Sequence, residues 1–265
     1  ALRFTLATGN TPGNDMRYSP ERVEASRNFA NKIWNAARFL LMNLNSDEEM
    51  PLPEELALED KWILSKFNDL VKDVTDNLDK YELGLAVAKL YDFIWDVFCD
   101  WYIELVKPRL AEKDSETNLA AQATLTYVLS NTLKLLHPFM PFITEEIFTT
   151  VQSKEESIMI SSWPAARDDF SFPHEEEAIE NIKDAVRAVR AVRNERKVAP
   201  SRKAKIFVVS DKEDVLDMFR ENKMFFETLA SGSDTVLCTD KSQVPDGALS
   251  MILPFAALYL PLADL

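Results

Sequence analysis

Asn28, Lys32, Asn35 and Phe39 recur at spacings of four, three and four. At 100° per residue this sets two amides, one ammonium and one aromatic ring on a single stripe of a helix. Such a ring offers a face on which an unpaired nucleobase can stack, and the polar groups offer donors and acceptors to its edge. Recognition of a single-stranded RNA loop requires that combination. The same residues also fit a solvated face with Phe39 packed on a neighbouring helix. In a later segment Asp92, Asp96, Cys99 and Ile103 fall opposite an apolar stripe, with Glu104 alongside. Cys99 reads equally well as a small buried hydrophobe, and Trp95, Trp101 and Tyr102 read as core. Arg187, Arg190, Arg193 and Arg196 recur every third residue opposite Ile179, Ile182, Val186 and Val189. They fit either a phosphate-contacting stripe or an ordinary amphipathic helix paired with nearby acids. His137, between Leu136 and Pro138, suits capping or packing, and no residues fall into a nucleophile, base and orienter order.

The elements that must carry these residues are mostly helical. Ser19-Pro20 gives an N-cap with proline at the first helical position. Val23, Ala30, Ile33, Ala37, Leu41 and Leu44 then predict a helix to about residue 44 with those residues as its core stripe. Further helices are predicted over residues 55–78, 82–106 (ending before Pro108) and 118–136, with a continuation from Pro141 to about 151. Long amphipathic helices with short links imply an antiparallel bundle. After Ser153 the texture changes: a helix at 175–197, a β-branched strand at 205–210, a helix at 212–229, a strand at 235–239, an Asp246-Gly247 turn and a closing strand pair. The fold class is therefore mainly α, a bundle followed by a small α/β subdomain. The expected division is an N-terminal segment with a turn over 1–18, a bundle over 19–152 and the α/β part over 153–265.

Composition bounds the function. The chain has 265 residues and only five glycines, about a third of average usage, which leaves little material for Gly-rich phosphate loops. Two cysteines far apart and two isolated histidines argue against a disulfide scaffold or a Cys/His zinc site and suit the cytoplasm. No apolar stretch reaches the ~20 residues of a membrane span. The net charge of −14 argues against DNA or any indiscriminate polyanion binding. Residues 183–205, however, hold nine Lys/Arg against two acids, and residues 16–38 hold five bases against two acids. An acidic body with basic faces can still approach a phosphate backbone.

Five blocks carry a family resemblance. They are Ala1-Leu2-Arg3-Phe4-Thr5-Leu6-Ala7 with the turn Thr11-Pro12-Gly13-Asn14-Asp15; Arg27-Asn28-Phe29-Ala30-Asn31-Lys32-Ile33-Trp34-Asn35-Ala36; Cys99-Asp100-Trp101-Tyr102-Ile103-Glu104; Leu136-His137-Pro138-Phe139-Met140-Pro141-Phe142-Ile143-Thr144-Glu145-Glu146; and Val198-Ala199-Pro200-Ser201-Arg202-Lys203. Together they resemble valyl-tRNA synthetase, a class I aminoacyl-tRNA synthetase. The fourth block is shared with the isoleucyl and leucyl relatives; the first two point to valine. The resemblance implies a C-terminal anticodon-binding region without the catalytic domain, with residues 1–18 contacting the tRNA stem. It implies tRNA(Val) as partner, with Asn28, Lys32, Asn35, Phe39, Cys99, Ile103 and Glu104 lining the anticodon pocket and no metal or cofactor in this stretch. ATP with magnesium would act elsewhere in a cytoplasmic, monomeric valine–tRNA ligase, and this part alone would not activate valine. The equivalent domain of an isoleucyl or leucyl enzyme, or a helical scaffold docking another protein, stays open as an alternative.

Overall fold

A computed structural model describes residues 1–8, 15–45, 50–113, 115–152, 154–199 and 201–264. The turn expected at Thr11–Asn14, part of the acidic stretch after Leu44, and Pro200 lie outside the described residues. The chain divides into two compact units, Ala1–Pro173 and His174–Leu265.

In the first unit the N-terminal residues form a short helix, α1 (Leu2–Ala7), that contributes to the core rather than only leading into it. Phe4 is buried and stacks on Phe29 at 5.0 Å between ring centroids. Helix α2 (Pro20–Asn43) starts where its cap predicts: the Ser19 hydroxyl accepts from the Arg22 amide at 3.4 Å, and Pro20 occupies the first turn. Its buried residues are Ser26, Phe29, Ile33, Ala36, Ala37 and Leu40, so the core stripe is rotated by roughly 50° from the expected one at 100° per residue. Phe29 causes the rotation, because it is held by Phe4 on one side and by Tyr91, 4.8 Å away, on the other. Val23, Ala30 and Leu41 remain half-buried.

Helix α3 (Leu58–Asp79) leads into a continuous helical run: α4 (Leu83–Asp92), a π-wound stretch (Phe93–Tyr102) and α5 (Ile103–Ala111). The run does not stop before Pro108. That residue sits inside α5, where it lacks only its own donor to the carbonyl four residues earlier, Glu104. The π winding, in which each amide reaches back five residues, is visible where the Ile103 amide donates to the Phe98 carbonyl. Helix α6 (Glu116–Leu136) is capped by Ser115, and α7 (Pro141–Val151) restarts at Pro141. His137 joins the two ends, with Nδ1 2.7 Å from Thr144 Oγ1. Residues 154–172, grouped by composition with the C-terminal part, pack on this unit. Asn68 donates to the carbonyls of Arg167 and Phe170 and accepts from the Arg167 amide at 2.7 Å.

An ionic cluster is sealed between α3 and the π/α5 run. Tyr102 donates to Asp60 Oδ1 at 2.8 Å, and Arg109 Nη1 lies 2.6 Å from Glu59 Oε1 and 2.8 Å from Asp60 Oδ2. Asp60 has no exposed surface. Desolvation pushes its carboxyl up to about 6; Arg109 opposes that rise and Glu59 adds to it.

The second unit is built separately. Helix α8 (Pro173–Glu195) is followed by β1 (Ala204–Val209), α9 (Glu213–Glu221), α10 (Lys223–Ala230), β2 (Gly232–Cys238), β3 (Leu249–Ile252) and β4 (Ala257–Leu260). The sheet order is β2-β1-β4-β3, with β1 and β2 parallel and β4 antiparallel to both its neighbours. The single helix expected over 212–229 is broken at Asn222, whose side chain donates to the Met218 carbonyl at 2.9 Å and competes with the backbone ladder. Gly232 opens β2 where a side chain would press on Ile206 and the Glu227 backbone, at 3.1 and 3.3 Å.

The sealed cluster makes a testable statement. In the folded state Asp60 holds its proton up to about pH 6, whereas a carboxyl at the ordinary value of 3.8 releases it earlier. The folded state therefore binds more protons across that window, and Asp60's contribution to stability falls as pH rises through it. Urea unfolding at about pH 4.5 and about pH 7 should show a smaller loss for Asp60→Asn than for wild type. Arg109→Ala, which strands two buried carboxylates, should cost about 3–5 kcal/mol at neutral pH.

Candidate nucleic-acid interface

Because the core stripe of α2 is rotated, the set Asn28, Lys32, Asn35 and Phe39 lies on its flank rather than opposite the core. Asn28 and Asn35 are exposed, while Lys32 and Phe39 are half-buried. Both half-buried residues point toward the π/α5 run. Lys32 Nζ bonds Asp100 Oδ1 at 2.5 Å and lies 4.0 Å from the centre of the Trp95 ring. One α5 turn further along, Lys107 Nζ lies 6.0 Å from the Phe39 ring and bonds Glu104 Oε1 at 2.5 Å. The structure thus sets Lys32 and Phe39 of the α2 stripe beside the run that carries Cys99, Asp100 and Glu104, in a shallow groove between the two.

Two expectations for that segment change. Ile103 is 7% exposed and belongs to the core. Its place opposite the core stripe assumed 100° per residue, and the π winding upstream advances the chain by less per residue, turning Ile103 inward. Trp95, expected in the core, is half-buried and stacked between Tyr91 and Lys32, whereas Trp101 and Tyr102 are buried as expected. Cys99 is half-buried. Desolvation pushes its thiol up to about 12; Lys32 draws it down and Asp100 adds to the rise. A thiol so held is protonated and acts as a small apolar wall.

Sequence reasoning missed Asp100, Trp95 and Lys107 as members of the groove. Asp100 stood within a quoted block, and Lys107 lies three residues after Glu104, the ordinary pairing distance on a helix. Trp95 carried no signal that separates a wall from a core ring.

The arginine stripe in the second unit also changes. Steps of three residues each fall 60° short of a full turn, so Arg193 has turned roughly 120° away from Arg187. Arg187 is exposed and bonds Asp184 at 3.2 Å, and Arg190 Nε donates to the Leu229 carbonyl at 2.8 Å. Arg193 is 4% exposed, and its Nη2 donates to the carbonyls of Ala199 and Arg202 at 3.2 and 2.5 Å. Burial lowers its pKa. Arg193 fastens the segment before β1 and offers nothing to a phosphate on the surface.

Among the described residues no cluster of His, Cys, Asp or Glu could hold a metal, and no helix is long and apolar enough to cross a membrane. Residues 60–208 match the family model described as the anticodon-binding domain of tRNA ligase. Curated relatives named valine–tRNA ligase align with the whole chain: 46% identical in Clostridium tetani, 44% in Carboxydothermus hydrogenoformans and 42% in Bacillus anthracis. In each case the alignment covers 30% of the relative, so the chain spans about 30% of their length.

Two arginines of the stripe, Arg187 and Arg193, should behave oppositely. Arg193→Ala leaves two carbonyls without a charged donor and should cost about 1.5–3 kcal/mol in urea unfolding. Amide exchange should speed up around residues 201–204. Arg187→Ala, on the surface, should stay within about 0.5 kcal/mol of wild type.

Proposed function

Because the chain belongs to the anticodon-binding domain family of tRNA ligases, we propose that it reads the anticodon loop of tRNA(Val) as one part of a valine–tRNA ligase. The observation that carries this proposal is the meeting of α2 with the π/α5 run, where Lys32 pairs with Asp100 and Phe39 lies near the Lys107–Glu104 pair, with Asn28 and Asn35 exposed on the same α2 stripe. These are the groups that unstacked bases require, a π-face and edge-directed donors and acceptors. The match of residues 60–208 and the identity over the full chain support the assignment.

In this proposal Phe39 supplies the stacking face, Asn28 and Asn35 reach base edges, and Cys99 forms an apolar wall. Arg187 and Arg190 are offered to phosphates; Ile103 shapes the groove from beneath, and Arg193 is withdrawn from the phosphate set. ATP and magnesium belong to chemistry elsewhere in a monomeric, cytoplasmic ligase. The described residues of this chain present no carboxylate cluster for the metal.

Glu104 is the discriminating group. Valine anticodons end in A-C and isoleucine anticodons in A-U, so the final base must be told apart as cytosine or uracil. At C4 cytosine presents an amino donor and uracil a carbonyl acceptor. A carboxylate accepts from the first and opposes the second. Glu104 keeps an oxygen for this while Oε1 bonds Lys107. In this reading Lys32 donates to the carbonyl at C2.

Titration of the 265-residue chain with an anticodon stem-loop RNA ending in A-C tests the proposal. Binding should weaken as salt rises. Absence of any salt-dependent binding would sink the reading in favour of a protein-docking scaffold. Phe39→Ala should cost about 1–3 kcal/mol of affinity with little change in melting temperature; a large loss of thermal stability would assign Phe39 to the core instead. Glu104→Gln should erode the preference for a final cytosine over uracil, within a range of roughly 5- to 150-fold, more than it lowers total affinity. Equal losses for both loops would move the discrimination to another residue.

A further inference from the structure

We propose that Trp95 is a second base-stacking surface in this groove, covered in the free protein by the Lys32–Asp100 ion pair and opened when RNA takes the ammonium. The inference rests on the anticodon-loop reading above and adds a residue to it.

The indole is held from behind by a ladder of rings. Tyr91 stacks on it at 5.6 Å and 13°, Phe29 stands 4.8 Å from Tyr91, and Phe4 stands 5.0 Å from Phe29. Three rings from three helices thus fix the plane of a side chain that is itself half-buried. An ammonium also lies over the ring, Lys32 Nζ at 4.0 Å from its centre. An ammonium over an indole is an attractive arrangement, but it sits on a flexible four-carbon stem and exchanges partners readily.

The π winding makes the cover possible. Trp95 and Asp100 are five residues apart; in an α-helix they would point roughly 140° away from each other. In an i→i+5 winding residues five apart lie almost one above the other. A single ammonium arriving from α2 therefore meets the indole face and the carboxylate together, at 4.0 and 2.5 Å. Asp100 is about half exposed, so the pair sits where solvent and a polyanion reach it. A phosphate or base carbonyl that draws Lys32 off Asp100 also uncovers the indole, and an unpaired base then gains a flat aromatic surface already oriented by the ladder.

The test uses the 265-residue chain and the A-C-ending stem-loop. Trp95→Leu, which keeps bulk and removes the π-face, should weaken binding by roughly 5- to 150-fold, the usual range for one stacked base. Trp95→Phe should recover most of the loss. Tryptophan fluorescence of the wild type should be quenched on RNA binding, and most of that change should vanish in Trp95→Phe. Asp100→Asn should raise affinity more than Asp92→Asn, which removes an equal charge from an exposed position on the same helical run. Wild-type binding of Trp95→Leu, or equal gains from the two Asp→Asn variants, would overturn the stacking role while leaving anticodon-loop binding intact. No binding by the wild type would end both proposals together. If Trp95→Leu fails to fold, the fluorescence change and the paired Asp variants decide alone.

Discussion

The groove depends on the sealed cluster of Glu59, Asp60, Tyr102 and Arg109. A helical run that changes winding twice has no intrinsic reason to present one face to α2. The Tyr102 hydroxyl on Asp60 pins the last π residue to α3, and Arg109 on the two carboxylates pins α5 seven residues later. Between these two anchors lie Glu104 and Lys107, so their direction is set by a contact on the opposite side of the helix. Burial is why Asp60 titrates so high: desolvation raises its carboxyl, Arg109 opposes the rise and Glu59 adds to it. Such a cluster is costly to desolvate and expensive to break, and it specifies a rotation more than it adds stability.

Much of this was legible in the residues, and the failures share a cause. The Ser19-Pro20 cap, the bundle, the restart at Pro141 and the order of the α/β part follow from local chemistry that acts within a turn or two. What did not follow was rotation. The core stripe of α2 was misplaced because Phe29 answers to Phe4 and Tyr91, residues distant in sequence. Ile103 and Trp95 were misplaced because the stretch Phe93–Tyr102 is π-wound, and a pattern read at 100° per residue does not register the smaller rotation per residue. Arg193 was misplaced because a spacing of three was treated as one face. Within the groove, Lys32 and Phe39 were legible from the spacing of one helical stripe, Cys99 and Glu104 were placed beside the bases by family resemblance, and the pairings that define their chemistry came only with the structure.

Charge shows the same gap between count and placement. The basic segment 183–205 carries nine Lys/Arg, yet Arg193 is buried, Lys183 is buried against Glu180, and Arg187 is paired with Asp184. Much of the apparent excess serves the fold of the second unit. The smaller basic surplus around α2 contributes fewer charges but places Lys32 in a groove.

That placement bears on selectivity. Both lysines of the groove already hold a carboxylate, Lys32 with Asp100 and Lys107 with Glu104. A polyanion offering only phosphates must exchange one anion for another and compete with the two carboxylates, gaining little over the pairs it breaks. A loop of unpaired bases gains more, because each exchange also uncovers something a phosphate cannot use: a ring face beside Lys107, an indole beneath Lys32, and a carboxylate able to accept from an amino group. Pairing each cation with an acid thus lowers affinity for nucleic acid in general and leaves a larger share of the binding free energy to stacking and edge contacts. For a chain of net charge −14 that, in the function proposed above, selects one loop among many similar polyanions, weak attraction to backbone and strong dependence on bases are the same physical choice.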